Sequence, residues 1–482
     1  MAYDPLVSML WLADAPSMRA LAARLDDVSG GLAPRVAPGL SPVFGLDQVS
    51  RHPELAHYAE RLRSLRHWCE ATAADLRRRA SIAEQADAVS LDPVEPTAVR
   101  AALVAAASGT ADAALADLRQ LVAAREAGFD RDAAVAGFFA GLPPDTALAV
   151  ALAGADLVGP LGGVPYGLRY AANRLLVRQA RAEARTLWLT DRVTLFSRLL
   201  EPREVRTVRD GRVVSEKAPR QFLLFDASGQ GRVAEVFGDL DTATSVAVTV
   251  PGTGNNLETY TDGPGANARA LHDFAERFSG GRSATIAWMG CDLPQSLTQA
   301  TWTSYAEAGG PMLRDFVTGL RLGADVRTTL VGHSYGSTVT GHAVSAGLRP
   351  GNLVAVASPG WGVYSAEALH APGTRLYALR HPHDVISVAP VLSLASKAGL
   401  LGLLATPWAG HGQDPILLGG VTRLATGTDT DLVQLGVDAH AHGDYFTTTG
   451  QSKIATKNMA HVVAGDQGPM PFGIARSEPN EG

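Results

Sequence analysis

In the first two hundred positions apolar residues recur at intervals of three and four, within stretches near 16–28, 54–88, 97–126 and 131–154, a spacing that predicts amphipathic helices. In the second stretch Leu62, Leu65, Cys69, Ala73 and Leu76 share one helical face, with Arg61, Arg63 and Arg77 flanking or opposing it. That face is expected to pack and the arginines to be solvated. Beyond residue 200 the period shortens. β-branched runs at 221–226, 232–237, 245–250, 284–289, 328–332, 352–358 and 374–380 alternate with helical segments. The first two runs are separated by the short Gly-containing loop 227–231, suited to a hairpin, and several later ones are spaced for crossover helices. The pattern predicts an α/β fold whose mostly parallel sheet has an antiparallel start, preceded by an all-helical N-terminal domain. The expected boundaries are 1–200 for the helical domain, 201–465 for the α/β domain and 466–482 for a polar, Gly/Pro-rich tail.

Composition narrows the function more than the fold. Of 482 residues, 46% are hydrophobic and 19% charged, which excludes overall disorder, and 42 Lys+Arg against 48 Asp+Glu leave no positive field for nucleic acid. Cys69 and Cys291 allow at most one bridge and no clustered thiolate site. The apolar stretches around 146–165 and 388–406 are broken by Asp156, Pro160, Pro165, Pro390 and Lys397, so neither supplies the ~20 clean residues of a membrane span. The first residues carry Asp4 and Asp14 without a signal-peptide pattern, so the default expectation is a cytoplasmic location, with signal-peptide-independent export left open.

The chemistry concentrates around residue 334. The run 328–331 leads into Gly332-His333-Ser334-Tyr335-Gly336 and straight on into a helical segment. This is Gly-x-Ser-x-Gly at a strand-to-helix turn, where the glycines let the backbones approach and the serine is held strained with its hydroxyl above the sheet edge. Ser334 is therefore the expected nucleophile rather than a small packing residue. A serine hydroxyl needs a base to take its proton, and the base needs a carboxylate to fix its tautomer. Asp384, in the loop after the run 374–380, is the expected acid, with Asp414 and Asp438 as substitutes. Among the downstream histidines, His381 and His383 flank the acid, His411 lies in a Gly-rich insertion and His461 in a final helix. His440 and His442 remain as candidate bases.

An acyl-transfer site also needs donors for the developing oxyanion. One is the Tyr335 N–H. The other is expected from Val250-Pro-Gly-Thr-Gly-Asn-Asn256, at Thr253 or Gly254. As a dinucleotide loop the same stretch lacks its third glycine, and there is no H-E-x-x-H pair, so neither a cofactor nor a metal is expected. Cys291 reads as a packed apolar residue. Between acid and base, residues 388–408 carry one charge, Lys397, so Leu400, Leu403 and Trp408 are candidate walls for an acyl chain, or else part of a plain packing helix.

These motifs resemble an α/β-hydrolase family found largely in actinobacteria and known chiefly as a domain of unknown function. The resemblance rests on Pro251-Gly-Thr-Gly254, Gly332-His-Ser-Tyr-Gly-Ser337, Ala357-Ser-Pro-Gly360, His442-x-Asp-Tyr-Phe446, and Val164-Pro165 with Arg169 and Ala172-Asn173-Arg174 upstream. It covers about residues 155–465 and implies the α/β-hydrolase fold. It also implies Ser334, Asp384 and His442 as triad, because the family histidine precedes x-Asp-Tyr-Phe; Gly443 stands where Ser is more usual. The resulting expectation is a serine hydrolase cleaving small acyl esters, lipid-like ones included, through an acyl-enzyme. Amide hydrolysis or acyl transfer would use the same residues. A different reading is an export-linked interaction protein or toxin that binds a protein partner through its N-terminal helices. Against it, the two Trp-x-Gly matches, Trp288-Met-Gly290 and Trp408-Ala-Gly410, fall in the hydrolase region, and no Tyr-x-x-x-Asp/Glu signal is present.

Overall fold

The computed structural model describes residues 15–31, 64–67, 69–74, 77, 109–124, 128–209, 212–381, 384, 410–427, 442–443, 445–450 and 453–465. The chain divides into two compact units, Met1–Asp117 with Leu142–Ala153, and Leu118–Gly141 with Gly154–Gly482. In the first, Cys69 and Ala73 are buried as their helical spacing predicts, whereas Leu65 is 45% exposed, and Arg77, one turn after Ala73, pairs with Asp26. The end of the expected helical domain 1–200 lies in the second unit with the sheet, and it forms two helices. These are α1 (Tyr166–Thr186) and α2 (Thr190–Leu200).

The strands of the second unit are β1 (Arg203–Arg209), β2 (Arg212–Ala218), β3 (Gln221–Asp226), β4 (Arg232–Phe237), β5 (Ser245–Val250), β6 (Ser283–Met289), β7 (Arg327–His333), β8 (Asn352–Val356), β9 (Arg375–Leu379) and β10 (Val421–Arg423). β1 and β2 form a separate antiparallel pair, and the other eight form one sheet in the order β10-β9-β8-β7-β5-β6-β4-β3. β3, β4 and β6 pair antiparallel and every other pair is parallel, which is the expected antiparallel start. The crossover helices are α3 (Pro264–Phe278), α4 (Ser304–Gly319) and α5 (Tyr335–Ser345), and α6 (Lys453–Ala464) follows the last strand.

Apolar material on both faces explains why the central strands read as unbroken runs. β5 (Ser-Val-Ala-Val-Thr-Val) and β6 are buried at every position. Because successive side chains alternate, Val246, Val248 and Val250 join one core with Leu313 of α4 and Val339 of α5. Ala247, Val331 and Val354 join the other with Leu271 and Phe274 of α3 and Met459 of α6. The sheet order reverses at β5, which pairs with β6 on one side and β7 on the other. The carboxyl ends of β5 and β7 therefore flank a topological switch point, where open α/β sheets bind ligands.

The upstream motif has a clear task in this frame. Arg169 and Asn173, both buried on α1, reach across to the edge strand: Arg169 Nη2 donates to Leu223 O at 2.7 Å and Asn173 Nδ2 to Phe222 O at 2.9 Å, and both side chains also hold Gly159 O. Backbone groups that an edge strand would leave open are thus covered by side chains of a helix. No helix among the described residues is long and apolar enough to cross a membrane.

Candidate active site

The turn after β7 is as tight as its sequence requires. Ser334 has φ 52° and ψ −127°, a strained backbone for a residue with a Cβ. A Cβ on Gly332 would lie 2.4 Å from Ser337 Cα, and one on Gly336 would lie 2.2 Å from Val250 O. The strain is held by specific bonds: Ser334 N–H donates to Val356 O at 2.8 Å, and Ser334 O accepts from the Ser337 hydroxyl at 2.6 Å.

Two segments distant in sequence meet the serine. His442 Nδ1 lies 2.7 Å from Asp384 Oδ1 and its Nε2 lies 2.9 Å from Ser334 Oγ. A carboxylate facing Nδ1 places the ring proton there, so Nε2 is left to accept from the serine hydroxyl. Asp384 is fully buried. Of the substitute acids, Asp414 pairs with Arg380 and accepts from Ile416 N at 3.0 Å, while Asp438 lies outside the described residues. Among the other histidines, His411 is buried between Thr338 Oγ1 and Ala300 O at 3.0 Å from each, and His461 stacks on Phe278. His383 and His440 lie outside the described residues, as do Leu400, Leu403 and Trp408 and the tail 466–482.

On the oxyanion side, Gly252 packs so close that a Cβ there would lie 2.6 Å from Ser334 Cβ. Gly254 cannot serve as the expected donor, because its N–H is already committed to Pro294 O at 2.8 Å. Thr253 N–H has no partner among the described residues, and Tyr335 N–H belongs to the first turn of α5, where helix N–H groups lack intrahelical acceptors. The loop is held by side chains that sequence reasoning missed. Gln295 Nε2 donates to Asn255 O at 3.0 Å and to Gln230 Oε1 at 3.2 Å, and its Oε1 accepts from Asn256 Nδ2 at 3.0 Å.

His333, the variable residue of the elbow, was also missed. Its Nε2 donates to His442 O at 2.8 Å, pinning the loop that carries the base. Burial, and secondarily the neighbouring His442, push its pKa down to about 4, so the ring is neutral at ordinary pH. Burial likewise depresses His272 and His411 to about 4. The unfolded chain binds these protons near pH 6.5, whereas the folded chain resists them until about pH 4, so between those values the unfolded state holds more protons. Stability is expected to fall on acidification through this window, by about 1 kcal/mol per pH unit for each such histidine. Urea midpoints measured from pH 7 to 5 check this; a midpoint constant or rising toward pH 5 would contradict it.

Burial also pushes the Cys291 thiol up to about 12, in keeping with a packed apolar role. No cluster of His, Cys, Asp or Glu among the described residues is arranged to hold a metal ion.

Residues 226–394 match the family model described as alpha/beta hydrolase. An uncharacterized protein of Mycobacterium bovis is 30% identical over 203 residues, which cover 39% of this chain and 75% of that protein. The chain belongs to this α/β-hydrolase family. An uncharacterized protein of Mycobacterium tuberculosis is 31% identical over 258 residues, 49% of this chain but only 37% of its own length. The chain thus spans well under half of that longer relative. Among solved structures, a carboxyl esterase 2 from Tuber melanosporum aligns over 51% of this chain and 86% of its own, at 10% identity and a TM-score of 0.28.

Proposed function

We propose that this protein is a serine hydrolase that cleaves carboxylic esters, lipid-like acyl esters among them, through a covalent acyl-enzyme on Ser334. The observation that carries the reading is the unbroken relay from Ser334 Oγ through His442 to Asp384, at 2.9 and 2.7 Å. In the first step His442 Nε2 takes the hydroxyl proton as Ser334 Oγ attacks the ester carbonyl, and Asp384 stabilises the resulting imidazolium. The N–H groups of Tyr335 and Thr253 receive the oxyanion, a contribution of ~3–4 kcal/mol per donor. His442 then protonates the leaving alcohol. Water, deprotonated by the same nitrogen, attacks the acyl-enzyme, and collapse of the second tetrahedral intermediate returns the proton to Ser334.

A panel of p-nitrophenyl esters of increasing acyl length tests this with wild type and Ser334→Ala. Hydrolysis by wild type and its loss in the variant are expected, with kcat/KM rising from acetate toward longer chains. Equal rates for the two proteins would remove the reading, and a preference for acetate alone would remove its lipid-like part.

A further inference from the structure

Tyr445 stands three positions after the base and is almost fully buried at 1% exposure. Its hydroxyl donates to Asp384 Oδ2 at 2.5 Å and accepts the His381 N–H at 2.7 Å. Asp384 Oδ1 faces His442 Nδ1 at 2.7 Å. The two oxygens of one buried carboxylate are therefore gripped by two residues of a single short segment, while the hydroxyl making one grip is itself tied to the backbone of the loop that carries Asp384.

The neighbouring groups make this an orienting arrangement rather than incidental packing. A donor on Oδ2 opposes rotation of the carboxylate about its Cβ–Cγ bond away from the imidazole, and a donor to a charged acceptor is among the stronger hydrogen bonds. Burial, reinforced by the Asp384 charge, pushes the Tyr445 phenol well above its ordinary pKa, so it stays a donor throughout the working range. His333, whose ring lies 5.2 Å from that of His442 and 6.1 Å from that of Tyr445, also ties down this segment through its bond to His442 O.

We propose that Tyr445 is a positioning residue that locks the Asp384 carboxylate against His442, so that the relay to Ser334 is preorganised before substrate arrives. The inference rests on the serine-hydrolase reading and deepens it. It also gives the tyrosine of the His442-x-Asp-Tyr-Phe446 motif a physical purpose. Tyr445 acts through Asp384, so its hydroxyl matters for turnover and not for substrate binding.

The test is a double-mutant cycle on p-nitrophenyl acetate with Tyr445→Phe, Asp384→Asn and the pair, and with Ser334→Ala alongside. Tyr445→Phe is expected to lower kcat by about 10- to 100-fold with KM within about twofold of wild type, the cost of one hydrogen bond to a charged group. In the Asp384→Asn background the same change is expected to cost less than about threefold, because the group it acts through is gone. A fall of less than about threefold in the wild-type background, or equal falls in both backgrounds, overturns the proposal. Melting curves establish whether each variant is folded. Should Tyr445→Phe not fold, 3-fluorotyrosine at position 445 keeps the shape while altering the donor. It is expected to change kcat by at least about threefold at constant KM, and an unchanged kcat overturns the proposal. Activity that survives Ser334→Ala would instead remove the underlying reading, whereas Ser334-dependent activity indifferent to Tyr445 removes only this inference.

Discussion

Ser334→Ala and His442→Ala are each expected to lower kcat for p-nitrophenyl acetate by about 10⁴- to 10⁶-fold, and the double variant is expected to be no slower than the worse single one. The non-additivity follows from the geometry. His442 Nε2 sits 2.9 Å from Ser334 Oγ and acts on the substrate through that oxygen in the first step. With the serine gone the imidazole has no proton to take, and with the imidazole gone the hydroxyl is a poor nucleophile. On the proposed mechanism, whatever rate remains belongs to the N–H groups of Tyr335 and Thr253, which neither substitution removes. Rates measured with purified variants, each checked for an unchanged melting temperature, decide the matter. Multiplying losses would mean that the two residues do not work as a unit.

Gly336→Ala is expected to damage both stability and activity severely. The added carbon would lie 2.2 Å from Val250 O, at the end of β5, and 2.5 Å from Pro251 O, in the loop that follows, both backbone atoms. Backbone cannot step aside as a flexible side chain can, so either α5 separates from β5 or the loop carrying Thr253 is displaced. Overpacking of this kind costs about 1–3 kcal/mol or more, and displacement of the loop adds a loss of activity beyond any loss of stability. Expression as folded protein, with kcat measured where it folds, provides the check. A fully active and fully stable Gly336→Ala would show that β5 and the elbow are not packed as described. Gly254→Ala makes a useful contrast, since a Cβ there meets nothing within 4 Å and only its φ of +80° resists the change.

How much of this was legible depended on where the determining contacts lie. The seven strands from β3 to β9 were readable because helices cover both faces of their sheet, which forces continuous β-branched runs such as Ser-Val-Ala-Val-Thr-Val. The β1–β2 hairpin was not, because Arg203, Glu204, Arg206, Arg212, Glu216 and Lys217 break up its apolar positions. The Asp210-Gly211 dipeptide between those strands was the usable signal. β10 is only three residues long at the sheet edge and leaves almost no pattern. The helices α1 and α2 fall in the region expected to be helical, but their place in the unit of the sheet is set by contacts distant in sequence, the bonds of Arg169 and Asn173 to β3 and the packing of Phe196 and Leu199 into the sheet's core.

The site divides in the same way. Ser334 announced itself because an elbow needs glycines on both sides within five residues. Asp384 followed from its place after a strand, and His442 from the motif that follows it. The commitment of Gly254 to Pro294, forty residues away, had no local trace, nor did the bond between Tyr445 and Asp384 across 61 positions. Such long-range pairings are set by topology, which a one-dimensional pattern does not carry.

The most direct measurement of the central claim is peptide mapping by mass spectrometry after treatment of the intact protein with a fluorophosphonate probe. The expected result is a single adduct on Ser334, formed by wild type, absent from Ser334→Ala and strongly slowed in His442→Ala. No adduct on the folded wild type, or an adduct on another residue that persists in Ser334→Ala, would contradict the account.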